Sequence, residues 1–400
     1  MNEFNQSLAE HLNAIRAEGL YRELRRVDSP QSTRIKIEGQ TLLNFSSNDY
    51  LGLANDPLLK EAAIRAVERY GAGSGASRLI CGSLAPHHEL EQTLAAFKGA
   101  EAALVFTTGY ATAIGAIGAL LDAHDVIVID KLVHACVVDA ARLCGAELRV
   151  FAHNHLDHLG KILQSAHRRN AGLSGKRRPR ILIVTESVFS MDGDFAPLRE
   201  IVELKEKHGA WLMVDEAHAT GLYGPHRRGL AEEFGLSEQV EIQMGTLGKA
   251  LGASGGYICG SRALIDCLVN RARSFIFSTA PVPAAATAAT AAIQFVQSDA
   301  GQARRNQLWA RVDQIKNALI QVGLTLPPVR SAIIPLLIGD EENAIRSATA
   351  LREQGVFIPA IRYPTVARGR ARLRLTVSAA HTATDVNQLV AALSSVKLPT

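Results

Sequence analysis

The sequence has few cysteines, and no two of them form a Cys-x-x-Cys pair. A secreted disulfide framework needs an even, closely spaced set, so this scatter indicates reduced thiols and no cysteine-based metal site. The first residues, with Glu3 and Glu10, also lack the basic start and apolar core of a signal peptide. We therefore expect a cytoplasmic protein without a bound metal, whose free cysteines are Cys81, Cys136, Cys144, Cys259 and Cys267.

The chain carries little net charge, +4 at pH 7 over 400 residues. An evenly spread charge of this size argues against a nucleic-acid-binding surface. One stretch differs, because Arg168–Arg180 holds six Lys or Arg residues and no acid. A solvated loop is the ordinary interpretation of such a run, and a landing site for an acidic partner is the alternative.

Long hydrophobic runs are also scarce. Ala102–Leu121 and Ser274–Ser298 are uncharged and long enough to cross a bilayer. Glycines and threonines interrupt the first, and prolines, alanines and threonines dominate the second. Buried helices of a large soluble domain have this composition, so we expect no membrane span.

Short apolar runs alternate with helix-like segments between about residues 50 and 290, which predicts a mostly parallel sheet with helices on both faces. From about residue 330 the pattern changes to strands, including Val356–Ile361, interspersed with helices. We therefore predict an N-terminal segment (1–50) that packs with the small domain, a large α/β domain (51–290) and a small α+β domain (291–400). The strands predicted for the large domain are Leu104–Phe106, Val126–Ile129, Leu148–Phe151, Ile181–Thr185 and Trp211–Val214.

Titratable residues follow one of these strands and a further strand-like run, Val240–Met244, at ends where ligands bind in doubly wound folds. Asp215 and His218 come directly after Trp211–Val214. Lys249 lies in a loop of small residues, 245–256, that does not have the glycine spacing of a nucleotide-binding phosphate loop. A lysine in a confined site with a lowered pKa is instead typical of Schiff-base chemistry.

Pyridoxal phosphate (PLP) requires a lysine for covalent attachment and an acid beside its pyridine nitrogen. Lys249 and Asp215 are the candidates. Its phosphate requires backbone N–H groups at the start of a helix, which Thr107–Tyr110 offers, and Thr246 adds a hydroxyl.

The cofactor also requires hydrogen bonds to its phenolic oxygen and a side chain against its ring. His218 and Ser187 are the candidates for the first role, and His134 for the second. Together these residues predict a PLP site rather than a nucleotide site.

The sequence resembles the α-oxoamine synthases over nearly its whole length. It is therefore similar to the fold-type I PLP-dependent transferases, whose α/β fold is that of aspartate aminotransferase. The motifs that carry the resemblance are Asn44–Leu53, Gly73–Arg78, Thr185–Asp194, Asp215–His218, Thr246–Lys249 and Arg372–Arg374.

The resemblance implies a role for each matching residue. Lys249 binds PLP covalently, and Asp215 pairs with the pyridine nitrogen. Cofactor contacts are also implied for Gly109, Tyr110, His134, Ser187, His218, Thr246, Ser278 and Thr279, with Ser278 and Thr279 reaching the neighbouring subunit of a homodimer whose active sites lie at the interface. His134 and His218 are also catalytic candidates, and substrate contacts are implied for Arg22, Asn48, His134, Thr365 and Arg374. Arg22 is expected on a helix that has other arginines.

The resemblance also implies a decarboxylative condensation of an amino acid with an acyl thioester. The sequences of the motifs Phe45–Tyr50 and Ile361–Val366 are most similar to those of the branch that joins L-alanine to pimeloyl-CoA or pimeloyl-acyl carrier protein. Tyr363 and Ala76 depart from the usual residues of that branch. Glycine with acetyl-CoA is the nearest alternative. A non-catalytic PLP-binding regulator and a nucleotide-binding α/β protein are the alternatives from other classes.

Overall fold

The computed structural model describes residues 2–171 and 178–396. The strands in these residues are β1 (Arg34–Ile37), β2 (Gln40–Asn44), β3 (Ala102–Phe106), β4 (Val126–Asp130), β5 (Glu147–Phe151), β6 (Ile181–Glu186), β7 (Trp211–Asp215), β8 (Ile242–Thr246), β9 (Gly256–Gly260), β10 (Ile333–Gly339), β11 (Val356–Phe357), β12 (Ala360–Ile361) and β13 (Ala371–Thr376). The helices are α1 (Glu3–Ala17), α2 (Pro57–Tyr70), α3 (Ala85–Lys98), α4 (Gly109–Leu120), α5 (Ala135–Leu143), α6 (Leu156–Ala171), α7 (Leu198–His208), α8 (Leu230–Glu233), α9 (Arg262–Arg271), α10 (Arg273–Ile276), α11 (Pro283–Gln297), α12 (Asp299–Gln321), α13 (Glu341–Glu353) and α14 (Ala383–Val396), with a 3₁₀ turn at Ser237–Gln239.

The central sheet has seven strands in the order β3-β9-β8-β7-β6-β4-β5. Its strands run parallel except β9, which is antiparallel to both β8 and β3. The mostly parallel sheet expected from the sequence is therefore confirmed.

Successive residues of the central strands enter two different hydrophobic cores. In β4, Val126 and Val128 belong to one core, while Ile127 and Ile129 belong to the other. Helices α2, α3, α6 and α7 contribute to the first core, and α4, α5, α9 and α10 contribute to the second. Because alternate side chains of a strand point to opposite faces, strands that are apolar at every position require this cover on both faces.

The C-terminal part contains two small sheets. One has the order β10-β13-β12, and the other has the order β1-β2-β11. Strand β11 pairs in parallel with β2, so the N-terminal strands share a sheet with the C-terminal part. This pairing supports our division into 1–50, 51–290 and 291–400, which we retain as a proposal.

Two local predictions are wrong. The single strand expected over Val356–Ile361 is two strands in different sheets, β11 and β12. Pro359 lies between them and cannot donate an N–H to a strand ladder. Arg22 does not lie on a helix, because α1 ends at Ala17 and residues 20–26 have no regular structure.

The uncharged stretches are ordinary parts of the fold. Ala102–Leu121 forms β3 and α4, and Ser274–Ser298 contains α11. Within residues 2–171 and 178–396, every helix is too short or too polar to cross a bilayer. The basic stretch Arg168–Arg180 lies largely outside the described residues, so its two interpretations stay predictions.

Candidate active site

Candidate site residues lie at the carboxyl ends of neighbouring strands. Asp215 is the last residue of β7 and Thr246 is the last residue of β8. Ser187 directly follows β6, and His134 precedes α5 in the connection after β4. Parallel strands end at the same edge of a sheet, so residues up to 112 positions apart in the sequence meet there.

Lys249 is joined to His218 and Tyr50 by short hydrogen bonds. Lys249 Nζ lies 2.8 Å from His218 Nε2, and His218 Nδ1 lies 2.6 Å from Tyr50 Oη. Burial lowers the pKa of Lys249, while the nearby carboxyl of Asp215 opposes this shift. Burial also lowers the pKa of His218 well below its usual value. The site therefore favours a neutral imidazole beside an amine that loses its proton more readily than a free lysine.

The same hydrogen-bonded chain continues to Arg374. Tyr50 Oη donates to Asn48 Oδ1 at 3.3 Å, and Arg374 Nη1 donates to that oxygen at 3.1 Å. Arg374 Nε donates to the Ser190 carbonyl oxygen at 2.5 Å. Sequence reasoning assigned no role to Tyr50, although it lies inside the Asn44–Leu53 motif. In the fold it is the link between the lysine and the arginine.

Asp215 is buried between two neighbouring strand ends. Its Oδ1 accepts the Ala217 N–H at 2.9 Å, and its backbone carbonyl accepts the Ser187 N–H at 2.9 Å. Burial raises the pKa of Asp215, and the charge of Lys249 opposes that shift. Ser187 Oγ lies 3.4 Å from the Asp215 carbonyl oxygen, which places Ser187 at the same strand ends.

His134 is the N-terminal cap of α5. Its Nδ1 accepts the Cys136 N–H at 3.2 Å, and its side chain is exposed. Desolvation lowers the pKa of His134, while the charge of Asp215 raises it and that of Lys249 lowers it. His134 therefore lies within electrostatic reach of both residues.

A cradle of backbone groups lies at the start of α4. The Thr108 side chain accepts the Ala111 N–H at 3.0 Å and so begins this helix at Gly109. A Cβ at Gly256 would lie 2.7 Å from the Gly109 Cα, so only a glycine allows β9 to approach this closely. A Cβ at Gly109 would in turn lie 3.8 Å from the Thr246 Cβ, which places Thr246 beside the helix start. Free N–H groups of a helix start beside a hydroxyl fit the phosphate of PLP. In this structure the Thr246 hydroxyl donates to the Gly255 carbonyl oxygen at 2.9 Å.

The backbone N–H of Tyr110 belongs to the same first turn of α4 as that of Gly109, whereas Ser278 and Thr279 are positioned differently. The Tyr110 hydroxyl donates to Asp139 Oδ2 at 2.5 Å on the exposed side of α4. Ser278 and Thr279 follow α10, and Thr279 forms an isolated antiparallel bridge with Ser77. We call the hydrogen-bonded group of Lys249, His218, Tyr50, Asn48 and Arg374 the lysine cluster. Within the described part of the chain, no hydrogen bond joins Ser278 or Thr279 to this cluster.

Arg22 and Thr365 lie away from the lysine cluster. Both line a groove of about 760 Å³ that Lys249 does not line. Two other arginines of this groove are already engaged, because Arg352 pairs with Glu38 at 2.6 Å and Arg362 donates to the Tyr21 carbonyl oxygen at 2.9 Å. Arg22 has no hydrogen-bond or ion-pair partner among the residues that the structure describes.

Glu186, the last residue of β6, is a second residue to which the sequence assigned no role. It is 3% exposed and lies opposite Asp215 in the parallel register of β6 and β7. The only sequence signal is an acid at a strand end, directly before Ser187.

An amine of lowered pKa, a buried acid, imidazoles and an N–H cradle at one sheet edge fit PLP. Across residues 2–171 and 178–396, no cluster of three or more His, Cys, Asp or Glu side chains is arranged to hold a metal ion.

A family model described as aminotransferase class I and II matches residues 40–393. The chain is similar to the 8-amino-7-oxononanoate synthase of Geotalea daltonii, with 47% identity and 98% of both chains covered. It is also similar to that of Herminiimonas arsenicoxydans, with 43% identity over 98% of this chain and 99% of the relative.

Solved structures show the same likeness. A serine palmitoyltransferase from S. paucimobilis, bound to PLP and myriocin, matches with a TM-score of 0.90 and 28% identity, covering 99% of this chain and 98% of that one. An 8-amino-7-oxononanoate synthase from Francisella tularensis matches with a TM-score of 0.74 and 27% identity, covering 88% and 97%. The predicted fold-type I architecture and the predicted cofactor are thereby confirmed.

Proposed function

The chain belongs to the aminotransferase class I and II family, and on this premise we propose that it is a PLP-dependent acyltransferase of biotin biosynthesis. It condenses L-alanine with a pimeloyl thioester to give 8-amino-7-oxononanoate, CO₂ and a free thiol. A carbon–carbon bond forms between the alanine α-carbon and the acyl carbonyl carbon, while the bonds to the carboxylate and to sulfur break. The observation that carries the proposal is the unbroken hydrogen-bonded chain from Lys249 to Arg374, in a protein 47% identical to an 8-amino-7-oxononanoate synthase.

PLP, when bound, supplies an electron sink for a carbanion at the α-carbon of the amino acid. Lys249 attaches the cofactor and then moves the α-proton, and its lowered pKa favours the neutral amine that this proton transfer needs. Asp215 would pair with the pyridine nitrogen and favour its protonated form. Gly109, Tyr110 and Thr246 would hold the phosphate at the start of α4.

The substrate carboxylate belongs at Arg374. Its Nε and Nη1 atoms are held by Ser190 and Asn48, and Nη2 has no hydrogen-bond partner in the described part of the chain. A guanidinium fixed in this way presents a planar donor to a carboxylate. His134 and His218 are the candidate donors to the oxyanion that develops when the thioester carbonyl is attacked.

The acyl chain ends in a carboxylate or its ester, and Arg22 is the residue that we assign to it. The support is that Arg22 lacks a hydrogen-bond, ion-pair or ring partner among the described residues, in a groove where Arg352 and Arg362 are engaged and Arg25 lies 5.9 Å from the centre of the Phe357 ring. Thr365 lines the same groove. The acyl donor is CoA or an acyl carrier protein.

We also propose a cytoplasmic homodimer with active sites at the subunit interface. In this arrangement Ser278 and Thr279 contact the phosphate in the neighbouring subunit. Their position outside the lysine cluster of their own chain supports this role.

The experiment compares two pairs of substrates on one preparation of the protein loaded with PLP, by measuring thiol release. Pimeloyl thioester with alanine should exceed acetyl-CoA with glycine in kcat/KM by at least about tenfold, or ~1.4 kcal/mol in barrier. Arg22→Ala should lower kcat/KM for the pimeloyl substrate, while the matched variant Arg25→Ala, in the same groove, should not. Equal or faster transfer of acetyl to glycine would reject the proposed substrates and leave the fold and cofactor standing.

A further inference from the structure

Two buried carboxyl groups lie side by side at the ends of β6 and β7. Glu186 and Asp215 are opposite each other in the parallel register. Side chains in register on neighbouring strands point to the same face of a sheet. Glu186 is 3% exposed and Asp215 is 5% exposed, so bulk water does not separate the two groups.

The two oxygens of the Glu186 side chain have different surroundings. Oε2 accepts the Ser190 N–H at 3.2 Å, whereas Oε1 is buried and has no hydrogen-bond partner among the described residues. The Ser190 carbonyl oxygen accepts from Arg374 Nε at 2.5 Å. One peptide segment therefore joins the Glu186 carboxyl to the arginine that we assign to the substrate carboxylate.

Burial and the charge of Asp215 favour the neutral form of Glu186. Lys249 and the backbone N–H groups of His134 and Ser190 favour the ionised form, and the charge of Lys249 is shared with Asp215. Cys136 of α5 and Tyr50, both buried, are also within electrostatic reach. An ionised carboxylate with one oxygen unpaired in a buried site is costly, and protonation removes the part of that cost that comes from the buried charge.

We propose that Glu186 holds a proton on Oε1 in the working enzyme and acts as a neutral positioning residue. It fixes Ser190, and through Ser190 it fixes Arg374, while Asp215 remains the negative charge that faces the cofactor ring. The part concerning Asp215 and Arg374 rests on the proposed function, and the protonation of Glu186 does not. Burial raises the pKa of Glu186 to about 8, with the charge of Asp215 adding to the shift, in agreement with the geometry.

Infrared spectroscopy of the enzyme loaded with PLP tests the protonation directly. Wild-type protein at pH 7 should show the C=O stretching band of a carboxylic acid, and this band should shift when glutamate is labelled with carbon-13 at its carboxyl carbon. Glu186→Gln should remove the band. The matched variant Glu241→Gln should retain it, because Glu241 is paired with Lys205 at 2.5 Å. Absence of a label-sensitive acid band in the wild type overturns the proposal without any variant.

Steady-state kinetics test the positioning role separately. Glu186→Ala should raise KM for alanine at least tenfold, since the Ser190 N–H loses its acceptor. Glu186→Gln mimics the neutral acid and should keep KM, and the dissociation constant of PLP, within about threefold of the wild type. If Gln is as poor as Ala, the ionised form is required and the proposal is wrong. If alanine is not a substrate at all, the proposed function fails, while the infrared result still decides the state of Glu186.

Discussion

Tyr50→Phe removes a single oxygen from the centre of the hydrogen-bonded chain. Tyr50 Oη lies 2.6 Å from His218 Nδ1 and 3.3 Å from Asn48 Oδ1, and the side chain is 1% exposed. Burial raises the pKa of Tyr50, so its hydroxyl keeps its proton throughout the neutral range. The hydroxyl has one proton, so His218 Nδ1 either accepts it or donates to Tyr50 Oη, according to the tautomer of the imidazole. In both tautomers Tyr50 is the partner of Nδ1, and Nε2 contacts Lys249.

The loss of activity expected for Tyr50→Phe follows from the position of His218 in the hydrogen-bonded chain. The phenylalanine fills the same space but leaves Nδ1 of a 5% exposed imidazole without a partner. An unsatisfied buried donor or acceptor costs about 1–3 kcal/mol. His218 orients Lys249 in the transition state, so we expect this cost to raise the activation free energy by the same amount. At 1.36 kcal/mol per tenfold change, kcat/KM for alanine then falls about 5- to 160-fold.

The assay is thiol release at saturating pimeloyl thioester with varied alanine. Tyr223→Phe is the matched control. The Tyr223 hydroxyl donates to the Arg330 carbonyl oxygen at 3.0 Å and takes no part in the hydrogen-bonded chain from Lys249 to Arg374. The control should keep kcat/KM within about twofold. A Tyr50→Phe enzyme that also stays within twofold would show that the Tyr50 contact does not orient His218 during turnover.

Further predictions concern the lysine, the arginine and a charged histidine. Borohydride reduction followed by peptide mapping should label Lys249 in the wild type and no lysine in Lys249→Ala, and a label on another lysine would refute the assignment. Arg374→Lys keeps the charge and loses the planar donor. One hydrogen bond to a charged group is worth ~1.5–3 kcal/mol, so KM for alanine should rise about 10- to 160-fold. An unchanged KM would show that the substrate carboxylate binds elsewhere. Although burial opposes it, hydrogen bonds to Asp130 and Asp194 raise the pKa of His153 from 6.5 to about 10. The contribution of charged His153 to the free energy of unfolding is fully present below pH 6.5 and is lost as the pH rises through 10. The melting temperature of His153→Gln should therefore lie below that of the wild type at low pH and approach it over this range. A difference that does not change with pH would contradict this.

The sequence was sufficient to predict the residues at the sheet edge. Asp215 and Lys249 each follow an apolar run that forms a strand, and such strands end together when the sheet is parallel. A helix start at Thr107–Tyr110 was predictable for the same reason, because strand and helix signals are local in the chain, and α4 begins there at Gly109. Local patterns therefore determined the sheet and the position of its functional edge.

Contacts between distant segments could not be derived from local pattern. Val356–Ile361 is a continuous strand pattern, yet its two ends pair with different sheets. Arg22 and Thr365 are 343 positions apart in the chain and line one groove, and no periodicity in either segment indicates this.

The tertiary structure alone decided how the site residues are connected. Asn48 and Arg374 are 326 positions apart, and their hydrogen bond exists because the N-terminal segment packs against β13. Glu186 and Asp215 become neighbours only through the register of two strands, and that register sets the charge that each carboxyl can carry. Sequence patterns identify which face or end of an element a residue occupies, whereas hydrogen bonds and pKa shifts depend on distances of a few ångströms between elements, which packing alone fixes.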